Sequence, residues 1–325
     1  MHLGIFAKTF VRPTLEQTLD AIVDHGLWYV QFNMSCAGMP TLPGSIDENL
    51  CRWIAQALRD RGMTMAAISG TFNLCDPDEA RLQDNLNRLE VLAAACRWLD
   101  TRVITLCTGT RNANDMWKWH AGNVRKSTWE LLIQSMKRAV QIADRHEVML
   151  AFEPEMHNVV NSVSKARRLL DEIDSPWLKV VIDPANLIPN GDMSRMTEIF
   201  DEAFDWLGSD IVLAHAKNPR DDVDAGELLA NGGRLEAILQ SIQEVRLPNR
   251  AGLDLETDPF EIVLRSLMKS VPDGLCEFFF FYSDYLIGLT KIGFSGPVII
   301  HGLPEGMVTH MKDFLTHELL RQDRR

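Results

Sequence analysis

Eight short apolar runs, set apart by amphipathic helical patterns, constrain this chain more than any other feature. They are "LGIFAK" (Leu3 to Lys8), "YVQFN" (Tyr29 to Asn33), "TMAAIS" (Thr64 to Ser69) and "RVITLCT" (Arg102 to Thr108), then "VMLAFEP" (Val148 to Pro154), "LKVVIDP" (Leu178 to Pro184), "IVLAHAK" (Ile211 to Lys217) and "PVIIHG" (Pro297 to Gly302). Most are continuous rather than alternating, the pattern of strands buried on both faces. Eight strand-and-helix units in about 300 residues predict a closed (β/α)8 TIM barrel. The competing arrangement is an open doubly wound sheet, but no glycine-rich phosphate-binding turn follows the first run.

The helices have readable starts. Thr14 with Gln17, and Ser45 with Glu48, have capping-box spacing. Asp76, Pro77 and Glu79 predict the N-cap, first and third positions of the next helix, whose Leu82, Leu86, Leu89 and Ala93 share one stripe. Successive run ends lie 27 to 45 residues apart as far as His215, but His215 to His301 is 86. That excess predicts an insertion after strand seven, approximately 219–276, within a single barrel spanning 1–325. It contains two helical patterns, "GRLEAILQSIQEV" and "DPFEIVLRSLMKSV". Following the C-terminal end of a strand, it is expected on the catalytic face, where insertions shape substrate choice. A peripheral decoration or a dimer contact is the alternative.

A net charge of -12 offers no basic footprint, so neither nucleic acid nor an anionic membrane is an expected partner. The opening "MHLGIFAKTF" lacks the pattern of a signal peptide, and no apolar run has the length of a membrane span. Six cysteines without a CxxC pair suggest reduced core thiols, and with them a cytoplasmic location.

Polar residues at the C-terminal ends of barrel strands are the first candidates for chemistry. Strand five ends in Glu153, strand six in Asp183, strand seven in His215 and strand eight in His301. Adjacent strands lie about 4.8 Å apart, so these side chains can converge on one point. Two carboxylates and two imidazoles suit one divalent ion: Mn, Co, Zn or Mg. Each residue alone also has an ordinary structural use; Asp183, for instance, can cap the turn before Pro184.

The stretches "LAFEPEMHNVVNS", "VVIDPANLI", "LAHAKN", "MWKWHAGN" and "FYSDYLIGLTKIGFSGPVIIHGL" resemble the sugar phosphate isomerase/epimerase superfamily of xylose isomerase-like barrels. The apurinic endonucleases related to that superfamily are disfavoured by the acidic balance of this chain. The resemblance implies one divalent cation held by a strand-five Glu, a strand-six Asp, a strand-seven His and a strand-eight Glu. The first three match Glu153, Asp183 and His215. Strand eight instead presents His301, and Asn186 stands where the superfamily often has a His.

The expected activity is metal-dependent isomerisation or epimerisation of a small carbohydrate, a sugar or polyol-derived keto compound, through an enediolate. Glu153 and His301 are the candidate catalytic groups. A dehydratase of the inosose dehydratase type and a non-catalytic sugar-binding barrel are the rivals. Asn186, Lys217, Trp117, His120 and Glu305 are candidate substrate contacts, with Trp119 beside them and Arg220 as an anion contact. Glu155 and His157 are expected not to be ligands. Similar proteins also suggest a homo-oligomer.

Overall fold

The computed structural model describes residues 1–188, 195–217 and 273–322. The chain divides into two compact units, Met1–Pro219 with Tyr285–Arg325, and Arg220–Asp284. The barrel belongs to the first. The predicted insertion falls chiefly on 218–272, so its two helical patterns and Arg220 lie outside the described residues.

The strands are β1 His2–Phe6, β2 Tyr29–Phe32, β3 Thr64–Ser69, β4 Val103–Cys107, β5 Met149–Glu153, β6 Leu178–Ile182, β7 Ile211–Ala216 and β8 Pro297–Ile300. They pair in parallel and in chain order, and β8 closes on β1 with Gly4 opposite Ile299. The closed (β/α)8 barrel expected from the eight runs is therefore the fold. Closure leaves no free strand edge, and the helices bury the outer face.

The helices are α1 Leu15–Asp24, α2 Glu48–Arg59, α3 Glu79–Leu99, α4 Lys126–His146, α5 Val163–Ile173, α6 Pro184–Leu187, α7 Met196–Leu207, α8 Asp273–Lys291 and α9 Val308–Gln322. Thr14 caps α1 by accepting from the Gln17 amide. Two caps differ from expectation. Asp47, not Ser45, caps α2, because its carboxylate reaches the amides of Asn49 and Leu50. Asp78, not Asp76, caps α3 by accepting from the Arg81 amide. Asp76 instead accepts from the Asp78 amide and pairs with the Arg81 guanidinium. The Leu82, Leu86, Leu89 and Ala93 stripe is buried. Each such leucine contributes about 1.5–3 kcal/mol by leaving water.

Two layers of the barrel interior position the strand-end residues. Ala67, Val103, Ala151, Val181, Leu213 and Ile299 form one apolar cluster. Two residues further along the same strands stand Ser69, Thr105, Glu153, Asp183, His215 and His301. Side chains alternate faces along a strand, so residues two apart share a face. A polar layer therefore sits directly on an apolar one, towards the C-terminal mouth.

Elsewhere Asp210 joins β6 to α5, accepting from Lys179 at 2.8 Å and Arg167 at 2.9 Å. Cys51, Cys75, Cys96 and Cys107 are buried free thiols and Cys36 is half-buried. Among the described residues, no helix is long and apolar enough to cross a membrane.

Candidate metal centre

Asp183 leaves the end of β6 and uses its two carboxylate oxygens for different purposes. Oδ1 accepts from the Ala185 amide at 2.9 Å, capping α6 with Pro184 at its first position. Oδ2 faces the two histidines, 3.3 Å from His301 Nε2 and 3.6 Å from His215 Nδ1. The capping use open to Asp183 from sequence and its place in the cluster thus coexist in one side chain. His215 comes from β7 and is buried; His301 follows β8 and keeps some exposure. The two rings meet edge to face, with His301 Nε2 3.1 Å from His215 Nδ1.

One ligand atom from each of Asp183, His215 and His301 lies within 4.8 Å of the others. Glu153 flanks this trio, its Oε2 3.5 Å from His215 Nδ1. Its Oε1 accepts from Asn186 Nδ2 at 2.6 Å, and the same amide reaches Asp183 Oδ2 at 3.4 Å. Asn186 is thus turned towards the two carboxylates. An oxygen and two imidazole nitrogens on buried strand ends, with a second carboxylate alongside, fit a borderline divalent ion such as Zn²⁺, Mn²⁺ or Co²⁺.

The charged groups of the cluster lean on one another. Burial opposes ionisation of Asp183, but hydrogen bonds from His215 and His301 outweigh it and hold the carboxyl far below its usual range. Burial likewise opposes charge on His215, yet Glu153 and Asp183 together push its pKa up to about 9. His301 moves the other way, lowered by burial and then by the charge of His215. One imidazolium among the carboxylates thus supplies part of the positive charge that a bound metal would supply.

Lys217 follows β7, its stem against Gly302, which holds a left-handed φ of 72°. Burial pushes the Glu155 carboxyl up, against the hydrogen bond from the His157 amide and a small opposing effect of the Lys217 charge. Glu155 turns into its own loop and accepts from Asn158 Nδ2 and the His157 amide. His157 is exposed. Trp117 and Trp119 are about half exposed on the loop after β4. His120 Nδ1 accepts from the Gly122 amide. Among the described residues, no hydrogen bond or ion pair joins these loop groups to the cluster. Glu305 pairs with Arg12 at 2.5 Å, linking the loops after β8 and β1.

Sequence reasoning missed two groups. Gln31, from β2, accepts at Oε1 from His215 Nε2 across 2.8 Å. The available signal was the amide of Gln31 set between the apolar residues Val30 and Phe32 of "YVQFN". The second is a set of asparagines that ties the mouth loops together. Asn73 accepts from the Cys75 and Thr110 amides, Asn123 from Arg111, and Asn158 from Gly109. Gly109 has a φ of 75°, and a Cβ there would run into Asn73, so glycine is required.

A family profile described as a xylose isomerase-like TIM barrel matches residues 19–269. The chain belongs to that family. No curated protein sequence matches it. Among solved structures, it is similar to 3-keto-D-glucoside 4-epimerase YcjR from E. coli, with a TM-score of 0.64 at 13% identity, covering 98% of this chain and 99% of that one. The probable 3-DHS dehydratase AsbF from Bacillus anthracis gives 0.60 at 14% identity, covering 97% and 99%. The IolI protein, solved with a bound zinc atom, gives 0.58 at 13% identity, covering 99% and 97%. At these identities the likeness concerns the fold.

Proposed function

We propose that this chain is a metal-dependent isomerase or epimerase of a sugar or polyol-derived keto compound, a small carbohydrate. The observation that carries this reading is the convergence of Asp183, His215 and His301 within 4.8 Å, with Glu153 beside them, at the mouth of the barrel. Asp183, His215 and His301 would hold one divalent ion, and Glu153 stands close enough to join them. Such an ion supplies Lewis-acid polarisation of a carbonyl and its neighbouring hydroxyl.

The chain's own residues then move the proton. Asn186 anchors Glu153 Oε1 and leaves Oε2 as the atom that takes a proton from the carbon beside the carbonyl. His301 Nε2 either completes the coordination or, unbound and drawn towards its neutral form, serves the opposite face; it cannot do both at once. With His301 on the ion, that task falls to Glu305. Lys217, Trp117, His120 and Glu305 stand on mouth loops, where they can meet substrate hydroxyls or a phosphate. Names among the similar structures support a sugar-modifying enzyme: one is an epimerase, and one carries zinc. The likeness to a probable dehydratase favours dehydration as the second reading.

Metal analysis of the purified protein, with deuterium uptake from solvent into a panel of ketoses, tests both readings. His301→Ala is expected to lose metal, and Glu153→Gln to lose proton exchange. Full metal content and full exchange in both variants overturn the assignment. Loss of a β-hydroxyl in the product selects dehydration. Bound sugar without proton exchange selects a binding protein.

A further inference from the structure

We infer that Gln31 is a positioning residue that sets the tautomer of His215, presenting Nδ1 to the donor cluster with a free lone pair; this rests on the metal-centre reading above. Gln31 is 5% exposed, inside the barrel, in an otherwise apolar strand. A buried carboxamide with unmet hydrogen bonds is costly, so its partners matter. Its amide nitrogen, Nε2, lies 3.3 Å from Ser69 Oγ and 3.3 Å from Thr105 Oγ1. Its oxygen lies 2.8 Å from His215 Nε2.

Two amide hydrogens thus meet two hydroxyl oxygens, and the carbonyl oxygen is left for the ring. An oxygen can only accept, so His215 Nε2 carries the hydrogen. In the neutral ring the lone pair then sits on Nδ1. That atom faces Glu153 Oε2 at 3.5 Å, Asp183 Oδ2 at 3.6 Å and His301 Nε2 at 3.1 Å. The reversed amide would aim a donor at Nε2, force the hydrogen onto Nδ1 and block it as a ligand.

The backbone helps to aim Gln31. The β2–β3 register shifts between Val30 and Gln31, with Val30 opposite Met65 and Gln31 opposite Ala67. Such irregularities re-aim side chains beside functional sites. Ser69 and Thr105 belong to the same polar layer as the cluster. The layer therefore has one side that gathers ligand atoms and another that braces the ring from behind.

The test uses Zn²⁺ alone, by chelator competition, with Gln31→Met and Gln31→Glu. Removing a partner of this kind typically costs 10–100-fold in metal affinity, and that loss is expected for Gln31→Met. Gln31→Glu should stay near wild type, because a carboxylate can only accept from Nε2–H. Wild-type affinity in Gln31→Met, or equal loss in both variants, overturns the proposal. An independent readout is ¹⁵N NMR of His215 in the metal-free wild-type protein, in alkaline solution where the ring is neutral. Nε2–H supports the proposal and Nδ1–H overturns it. If the wild type binds no Zn²⁺, the metal-centre reading falls, and the NMR result alone decides the role of Gln31. The same NMR result decides it if Gln31→Met does not fold.

Discussion

Asn186 Nδ2 lies 2.6 Å from Glu153 Oε1, and the same amide reaches Asp183, so one neutral donor serves the two carboxylates of the site. Glu153 is half-buried and Asp183 has no exposure, so neither can rely fully on water.

Asn186→Leu keeps the volume and removes the donor. It is expected to destabilise the metal-free protein by about 1–3 kcal/mol, the cost of leaving buried acceptors unmet. Saturating Zn²⁺ or Mn²⁺ should narrow the gap from wild type, because a cation replaces the lost donor. Urea denaturation with and without metal measures both.

Metal uptake should release protons. In the metal-free protein His215 holds a proton up to about pH 9, since Glu153 and Asp183 outweigh the effect of burial. A metal ion needs the neutral ring, so proton and metal compete below that pH. Apparent affinity should therefore rise with pH and level off above about 9. Calorimetric titrations in buffers of different ionisation enthalpy count the protons released. No release at neutral pH would contradict this account.

Glu305 is tied to Arg12 at the rim, and that pairing holds its carboxyl below the usual range. Glu305→Gln should leave metal affinity within about twofold of wild type, because exposed pairs couple weakly to their surroundings. Any catalytic effect should appear in turnover or KM rather than in metal content. A stoichiometric loss of metal would place Glu305 among the ligands instead.

Asp210 accounts for part of the acid sensitivity of the fold. Burial raises its pKa, but Lys179 and then Arg167 outweigh burial and lower it from 3.8. The folded value lies below the unfolded one, so this contribution is present above about pH 4 and is lost as pH falls through the folded value. Asp210→Asn is expected to cost roughly 1–3 kcal/mol near neutral pH and little in strong acid. Stability measured against pH in both proteins checks the convergence.

The barrel was legible because a strand buried on both faces must be apolar along its length, and eight such runs stand out in the sequence. The polar strand ends were legible for the same reason: Glu153, Asp183, His215 and His301 each interrupt an apolar run where it meets the mouth. The caps of α2 and α3 were misplaced by two residues, because Asp47 and Asp78 compete with neighbouring side chains for the same free amides. That contest is decided by backbone geometry rather than by residue type.

Periodicity and composition by themselves determined eight strands, their order and the four residues that end four of them. Only the tertiary structure decided the layering that stacks a polar ring on an apolar one. It also decided that Asn186 turns to the carboxylates, that Glu305 pairs with Arg12, and that Gln31 stands behind His215. The reason is physical: strand residues announce their face through a local period of two, whereas a hydrogen bond between Gln31 and His215 joins groups 184 residues apart. Such a contact exists only after the sheet has closed.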